Sequence, residues 1–400
     1  MSYIWFSAVL TLEKAELLTR HFDERAPPNA GARFMIDPGN PGAEFPPLYS
    51  RWLAELLPGP IPRETRATCN DCAMCAPDGH QDGAEKEYFD PAIKCCTYVP
   101  EIHNFLAGGV LSDDDPSAQP GRATVEKRIR TGVAVTPLGL KQPAVFSLLY
   151  DNGASAFGRS RGLRCPHYLE DGGRCGVWGH RESTCSTWFC KHVRGSVGYR
   201  FWRESLHRLL LVVEKDLARW AVLQLDLDLE ALRNLVFTPG WRSQPEQVTA
   251  ESIDNRVDRD SYSAIWGNWV GREVEFYVEC ARLVDALSWK EVLEIAGPEA
   301  RAFARLTLDA YNNLISDQLP GALKTGSVQL VQLRHDMTRV SAYSLYDPID
   351  IPRIVMESLH YFDGRPVPDA VGAIAAEKGV VLDQSLVLKM VDFGVLVPTE

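Results

Sequence analysis

The distribution of cysteine constrains this chain more than any other feature of its sequence. Nine of the ten cysteines lie between Cys69 and Cys190, where an even distribution would place about three. Such a density serves either disulfides or metal ions, and the redox compartment decides between them. The N-terminal segment lacks the basic stretch of a signal peptide and its apolar run is too short, so we expect a cytoplasmic protein. In a reducing compartment these cysteines predict a metal-binding region.

Composition excludes several other classes of protein. Hydrophobic residues make up 45% of the chain and charged residues 24%, as in globular proteins. No apolar run approaches the roughly 18 residues of a membrane span, so we expect none. The net charge of −11 disfavours a protein that coats nucleic acid or an anionic bilayer.

The order of segments predicts an α+β protein that is mainly helical. A loop-rich metal domain is expected first, and apolar residues at helical spacing after Phe201 predict a helical bundle. Ala144–Leu149 is expected to form a short strand. The predicted divisions are an N-terminal lead-in over 1–65, a cysteine-rich metal-binding domain over 66–200, a helical domain over 201–325 and a small module over 326–400.

The first cysteine motif is Cys69-Asn-Asp-Cys72-Ala-Met-Cys75. A spacing of two residues lets successive thiolates curl around one centre. Paired thiolates at this spacing serve zinc, whereas three in succession favour a [4Fe–4S] cluster with a remote fourth ligand. In bacterial ferredoxins a cysteine followed by proline supplies a remote ligand, and Cys165-Pro166 offers that context. The motif therefore predicts an iron–sulfur cluster.

The second motif is the adjacent pair Cys95-Cys96. Neighbouring side chains of an extended backbone point to opposite sides, so both thiols rarely reach one tetrahedral metal. We expect each to serve a different centre, or one of them to be a bystander.

The remaining cysteines follow at spacings of ten, ten and five residues, as Cys165, Cys175, Cys185 and Cys190. Gly172-Gly173 permits a tight turn before Cys175. Nine cysteines divide most naturally into four, four and one, so we expect two metal centres. Three histidines lie among them as alternative zinc ligands: His167, His180 and His192.

This layout resembles the YkgJ-type cysteine-cluster family, which is described as zinc- or iron-chelating. Family members carry Cys-x2-Cys-x2-Cys-Cys, then a cysteine, then Cys-x-Ile-Tyr-x-x-Arg-Pro-x-x-Cys. The segment Cys175-Gly-Val-Trp-Gly-His-Arg181-Glu-Ser-Thr-Cys185 fits the later motif, with Glu182 in place of proline. In the earlier motif, an insertion of roughly twenty residues separates Cys75 from Cys95. The resemblance covers about residues 69–192 and implies metal chelation by these thiolates.

The C-terminal residues 343–397 resemble a winged helix or a PqqD-like peptide-binding fold. The resemblance rests on the apolar helix Ile351–Phe362, the turn at Asp363-Gly364-Arg365, and Leu386–Phe393 followed by a short strand. It implies a peptide or protein partner for this module. Acidic residues outnumber basic ones here, which disfavours nucleic acid.

Charge around the later cysteines has the opposite sign to that of the whole chain. Between Gly158 and Arg208 ten basic residues face four acidic ones. Guanidinium groups near a four-thiolate centre can balance its negative charge. A solvated basic face, or a docking surface for an acidic partner, is the alternative.

Three functions remain open from the sequence. The first is an iron–sulfur protein, redox or enzymatic, with two [4Fe–4S] clusters. The second is a zinc-binding structural or interaction protein without catalysis. The third is a peptide-modification factor that joins a metal region to a substrate-binding module. No catalytic residue is assigned.

Overall fold

The computed structural model describes residues 45–64, 72–75, 89–153, 156–237, 249–333 and 336–399. Cys69 and most of the predicted lead-in lie outside the described residues. The described residues are mainly helical with small antiparallel sheets, which confirms the coarse prediction of fold class.

The described helices range in length from four to 27 residues. The helices are α1 (Pro47–Leu56), α2 (Asn104–Ser112), α3 (Gln119–Thr131), α4 (Ala144–Asn152), α5 (Ser183–Thr187), α6 (Gly195–Tyr199), α7 (His207–Gln224), α8 (Leu229–Val236), α9 (Ala250–Ile253), α10 (Arg259–Trp266), α11 (Glu273–Asp285), α12 (Trp289–Ile315), α13 (Arg353–Glu357), α14 (Val367–Lys378) and α15 (Gln384–Asp392). A π-helix over Arg200–Leu206 joins α6 to α7.

The strands are short and pair within four small sheets. They are β1 (Ile102–His103), β2 (Val135–Thr136), β3 (Gly139–Leu140), β4 (Tyr168–Leu169), β5 (Arg174–Cys175), β6 (Ala322–Thr325), β7 (Gln329–Gln332), β8 (Met337–Ser341), β9 (Ile349–Pro352), β10 (Asp363–Pro366) and β11 (Leu396–Pro398). The strand orders are β1-β3-β2, β4-β5, β7-β8-β9 and β10-β6-β11, with antiparallel pairing in each.

The first hydrophobic core combines residues from the cysteine-rich part with the helices after Phe201. Leu106 on α2 and Leu140 on β3 are buried in the same cluster as Leu210 on α7. Helix α2 is apolar on nearly all sides, as expected for a helix inside a core. Its Gly108 lies so close to α11 that a methyl group there would overlap a backbone carbonyl. The cysteine region and the helical bundle therefore share one core.

The longest helix, α12, shows how its sequence sets its ends and its bend. Ser288 and Glu291 form a capping box that satisfies backbone N–H groups at the N-terminus. Gly297 leaves helical geometry with a φ of +76°, and Pro298 follows. The helix is kinked here because proline cannot donate the backbone hydrogen bond of a continuous helix.

A second core forms the C-terminal module. It joins sheet residues such as Leu323, Val340 and Ile351 to helix residues such as Ile374 and Met390. In the β10-β6-β11 sheet, β6 precedes residue 326 and lies between the two later strands. The sheet therefore joins the N-terminal end of the module to its C-terminal end.

The strand predicted at Ala144–Leu149 is wrong, because these residues form the first turns of α4. The run is too short for its apolar pattern to separate a strand from a helix. Pro143 takes the N-cap position and Gly153 follows the last turn. Proline fixes φ and lacks the N–H that a strand ladder uses, so a segment bounded in this way favours a helix.

No helix within the described ranges combines the length and the apolar composition that crossing a membrane requires.

Candidate metal centre

Eight of the nine predicted cysteine ligands lie in the described residues, on three separate segments of chain. Backbone hydrogen bonds bring the segments together. The N–H of Cys165 donates to the carbonyl of Cys96 at 2.7 Å. The N–H of Phe89 donates to the carbonyl of Met74 at 2.8 Å, at a bridge between Cys75 and Phe89. Residues far apart in sequence are thus fixed as neighbours.

A hairpin of β4 and β5 places two of the cysteines beside each other. Its register sets Tyr168 opposite Cys175, and the N–H of Tyr168 donates to the carbonyl of Cys165 at 3.1 Å. Gly173 in the turn has a φ of +59°, a region that favours glycine. The tight turn expected from Gly172-Gly173 is therefore confirmed.

The adjacent pair Cys95-Cys96 differs from the expectation that its side chains diverge. Residues 91–97 form a turn rather than a strand, and Lys94 before the pair has a φ of +52°. The two thiols are in hydrogen-bonding contact, which lowers the pKa of Cys95 and raises that of Cys96. The side chains converge because the alternation of a strand does not apply within a turn.

Cys72 and Cys75 form a second contacting pair. The N–H of Cys75 donates to the carbonyl of Cys72 at 3.0 Å, which curls the segment as the two-residue spacing predicts. The thiol of Cys75 donates a hydrogen bond to the sulfur of Cys72 and lowers the pKa of Cys72 to about 6. The same contact raises the pKa of Cys75.

Glu182 positions Cys185 at the start of α5. Its carboxylate caps the helix by accepting from the N–H groups of Thr184 at 2.6 Å and Cys185 at 2.9 Å. Burial and then the charge of Glu182 raise the pKa of the Cys185 thiol well above its usual range. Glu182, which stands where the YkgJ-type motif has proline, thus contacts a predicted ligand directly.

All eight thiols lie within electrostatic range of at least one other thiol. Burial and then the charges of Cys95 and Cys72 raise the pKa of Cys190 to about 12. The group consists of Cys72, Cys75, Cys95, Cys96, Cys165, Cys175, Cys185 and Cys190.

The thiols differ in exposure. The side chains of Cys95 and Cys185 are solvent-accessible, whereas neighbouring Cys165 is buried.

Within the part of the chain that the structure describes, no three or more His, Cys, Asp or Glu side chains form a group that could hold a metal ion. The thiols contact one another as the two pairs, and Cys69 lies outside that part. Cys280 lies away from them on α11 and is fully buried in the first core. Cys280 is therefore a core thiol.

The three candidate histidines make other contacts. His167 is buried against Thr124, with 2.7 Å between Nδ1 and Oγ1, and burial lowers its pKa to about 3. His180 pairs with Asp113 at 3.0 Å. The backbone of His192 donates to the Asp347 carboxylate of the C-terminal module at 3.0 Å.

Arg128 on α3 is a charged neighbour of the thiols that the sequence analysis missed. It is buried, and its guanidinium lies 3.5 Å from the ring of His167. Burial raises the pKa of Cys165 to about 12, and the charge of Arg128 opposes this rise. In the sequence, Arg128 lies on the apolar face of α3, next to Val125 and Ile129, which indicates a buried arginine. A buried arginine needs a polar partner, but the sequence of the helix does not identify that partner.

The ten basic residues predicted to balance the centre have different roles. Burial raises the pKa of Cys175, and Arg181 opposes this rise. Arg203 acts in the same way on Cys190. Three others form ion pairs with carboxylates: Arg161 with Asp90, Arg164 with Glu170, and Arg194 with Asp392. Only some of these basic residues therefore act on the thiols, and others are paired with carboxylates.

Glu214 on α7 anchors α5 to the helical core. Its carboxylate accepts from the Ser183 N–H at 2.6 Å, from the Ser183 hydroxyl at 2.8 Å and from the Tyr49 hydroxyl. His103 Nε2 lies 3.8 Å away. Burial and then the charge of Glu182 raise the pKa of Glu214 to about 8. Glu214 is therefore easier to protonate than an exposed glutamate.

The Glu214→Gln protein is expected to lose a pH dependence of stability. Because the folded pKa of Glu214 lies above its unfolded value of 4.5, its contribution to stability falls as pH rises from about 4.5 to about 8. The slope approaches about 1.4 kcal/mol per pH unit, and an amide removes it. Urea unfolding of both proteins across this window measures the difference.

The matched control for this prediction is Glu230→Gln on α8, where the side chain is exposed. It should leave the pH profile of unfolding unchanged. A Glu214→Gln profile parallel to that of the wild type would contradict a raised pKa at Glu214.

Comparison of the chain with family models, with curated proteins and with solved structures found no match.

Proposed function

We propose that this chain is an iron–sulfur protein whose ligands come from Cys69, Cys72, Cys75, Cys95, Cys96, Cys165, Cys175, Cys185 and Cys190. Two [4Fe–4S] clusters account for most of these thiolates. The observation that carries the proposal is that hydrogen bonds join segments holding eight described thiols, with the N–H of Cys165 donating to the carbonyl of Cys96, and that Cys72 contacts Cys75 and Cys95 contacts Cys96. The described cysteines are free thiols, which suits a reducing compartment such as the cytoplasm.

The donor chemistry fits iron–sulfur clusters. Thiolate sulfur is their protein ligand, and the curled segment at Cys72 and Cys75 has the spacing of successive cluster ligands. Arg128 and Arg181 supply buried positive charge beside Cys165 and Cys175. Such charge stabilises an anionic centre.

When bound, a cluster of this kind supplies one-electron transfer. The chain's own residues bind it through thiolates, lower its negative charge through arginine, and hold the ligands in place. Glu182 and Glu214 contribute the last of these through α5. The proposal is therefore a redox or enzymatic role for residues 66–200.

A zinc-binding structural protein is the second candidate. The contacts of Cys72 with Cys75 and of Cys95 with Cys96 favour it, since two thiolate pairs are the ligand set of a tetrathiolate zinc site. The charge of Cys72 also acts on Cys95, which relates the two pairs. Zinc bound in this way would stabilise the fold of the cysteine region and would take no part in a reaction.

The C-terminal module is the place where we propose that a peptide or protein binds. A cleft of about 520 Å³ lies between β8, β9 and α13 and is lined by Met337, Pro352, Arg353, Ile354 and Glu357. Among the described strands, β9 pairs with β8 alone. An extended peptide can pair with such an edge.

The test of the main proposal is elemental analysis of protein purified without oxygen. We expect brown protein with iron and acid-labile sulfide in equal amounts, and a visible absorption band that bleaches on reduction with dithionite. Colourless protein with stoichiometric zinc, after expression with ample iron, would contradict the proposal and favour zinc.

A further inference from the structure

The strand β7 forms one edge of the β7-β8-β9 sheet and carries neither charge nor proline. It covers Gln329–Gln332 and, among the described strands, pairs with β8 alone. The flanking residues Val328 and Leu333 are also uncharged. Proteins usually protect an exposed edge strand with charge, with proline or by keeping it very short, because an open edge pairs with other chains. The sequence of β7 has neither of the first two protections.

The other edge strands within the described sheets are protected. The strands β1, β2, β4 and β5 are only two residues long. The strand β9 contains an aspartate and a proline, as does β10, and β11 ends at a proline. Such features limit the pairing of one copy of a protein with another. Among the described strands, the edge open to longer pairing is therefore β7.

The hydrogen bonds of β7 leave alternate backbone groups facing outward. The N–H of Leu333 donates to the carbonyl of Met337 at 2.9 Å, in register with the paired residues of β7 and β8. Bonded and non-bonded residue pairs alternate along an antiparallel ladder, so Val331 also bonds to β8. By the same alternation, Leu330 and Gln332 turn their N–H and C=O groups away from β8. An added strand would bond to these groups.

The apolar face of this sheet is incomplete at β7. Residues paired across strands have their side chains on the same face, and the register pairs Leu330 with Val340 and Val340 with Ile349. Val340 and Ile349 are buried in the core of the module, whereas Leu330 has 49% of its surface exposed. An exposed leucine thus ends a row of buried apolar residues. A further strand with an apolar residue opposite Leu330 would cover it.

The sequence of β7 supplies the pattern that this edge requires. In an antiparallel pair of two copies with Leu330 at the two-fold axis, each Leu330 lies opposite the other and Gln329 lies opposite Val331. The outward N–H of Gln332 then meets the outward carbonyl of Val328. This register bonds the groups that face away from β8, sets leucine against leucine and places no charge opposite its like.

We propose that β7 is a dimerisation edge, at which a second copy of this chain adds its own β7. The two three-stranded sheets then form one six-stranded sheet. A strand pair this short is small beside the roughly 1,200 Å² that stable interfaces bury, so the dimer is weak and depends on concentration. The cleft proposed for a peptide lies at the opposite edge, beside β9, and the inference does not depend on the proposed metal centre.

The experiment is sedimentation velocity of the full-length chain, purified without oxygen and kept in a thiol reductant so that disulfides between chains do not form. Concentrations run from about 1 to about 300 µM, at low and at high salt. Hydrogen–deuterium exchange of the backbone over residues 327–333, at both ends of this range, reports whether the edge is involved. The variants are Leu330→Pro and Leu330→Lys. The control is Val381→Lys, because Val381 is 79% exposed in the same module.

The variant Leu330→Pro separates pairing between copies from the fold of the module. The N–H that it removes faces away from β8, so the ladder within the module keeps its hydrogen bonds while each copy loses a donor to the other. Leu330→Lys keeps that N–H and places like charges opposite each other at the axis. Circular dichroism and urea unfolding check that each variant is folded.

We expect the mean mass of the wild type to rise with concentration from one chain towards two. The rise should be greater at high salt, because salt screens the repulsion between two chains of net charge −11. Exchange over residues 327–333 should slow at high concentration. Both Leu330 variants should associate at least about tenfold more weakly than the wild type, and Val381→Lys should match it.

Three results would overturn the dimer. A wild-type chain that stays monomeric over the whole range at both salt concentrations does so, and if it then binds a synthetic peptide of residues 327–333, the edge belongs to a different protein. Self-association that both Leu330 variants leave unchanged places the interface elsewhere. Self-association that leaves exchange over residues 327–333 unaltered has the same meaning. These outcomes are independent of the iron and zinc content, which tests the proposed function separately.

Discussion

The Arg194→Ala substitution is expected to lower the free energy of unfolding of the C-terminal module by about 3–5 kcal/mol, because it leaves a buried carboxylate unpaired. Arg194 follows Cys190 closely and donates two hydrogen bonds to Asp392 on α15, at 2.6 and 2.9 Å. It also donates to the carbonyls of Leu314 and Ser316, both at 2.6 Å. Urea unfolding followed by limited proteolysis measures the loss.

Arg365→Ala is the matched control. Arg365 also pairs with an aspartate at 2.6 Å, but both side chains are exposed, at 41% and 49%. Exposed pairs contribute about 0–1 kcal/mol because water screens them. Equal effects of the two substitutions would contradict the view that Arg194 fastens the module to the segment after Cys190.

The Cys72→Ser and Cys185→Ser proteins are each expected to lose the iron of one cluster, and the double variant to lose more. Serine keeps the size of the side chain but replaces the thiolate that the metal requires. Iron and acid-labile sulfide per chain measure the loss. Cys280→Ala is the control, because Cys280 is buried in the core of α11 and should leave the iron content unchanged.

Full iron content in Cys72→Ser or Cys185→Ser would remove that residue from the ligands. Loss of iron in Cys280→Ala to the same extent would show that iron content follows general stability rather than ligation.

The sequence alone predicted a cysteine-rich region, because the density and spacing of cysteines can be counted without a structure. The sequence did not predict the directions of their side chains. The side chains of Cys95 and Cys96 converge in a turn that nothing in their immediate sequence specifies. Arg128 and Glu214 lie far along the chain from Cys165 and Cys185, and a single sequence does not record such long-range neighbours.

The same limit applies to secondary structure and to domains. Ala144–Leu149 has an apolar run that suits a strand or a helix, and the flanking Pro143 and Gly153 were the better guide. The helical stripes after Phe201 predicted a bundle, but not that Leu140 and Val177 would share its core. The domain boundary expected at residue 200 stays a prediction. The core shared by residues on both sides of it depends on contacts between residues that are distant along the chain, which a single sequence does not record.

X-ray absorption at the iron edge, on anaerobically purified full-length protein, distinguishes an iron–sulfur cluster from a zinc site because it reports the metal and its neighbours together. We expect iron with a first shell of sulfur and a second shell of iron. Iron surrounded by nitrogen and oxygen, or a zinc edge with four sulfur neighbours and no iron, would contradict this expectation.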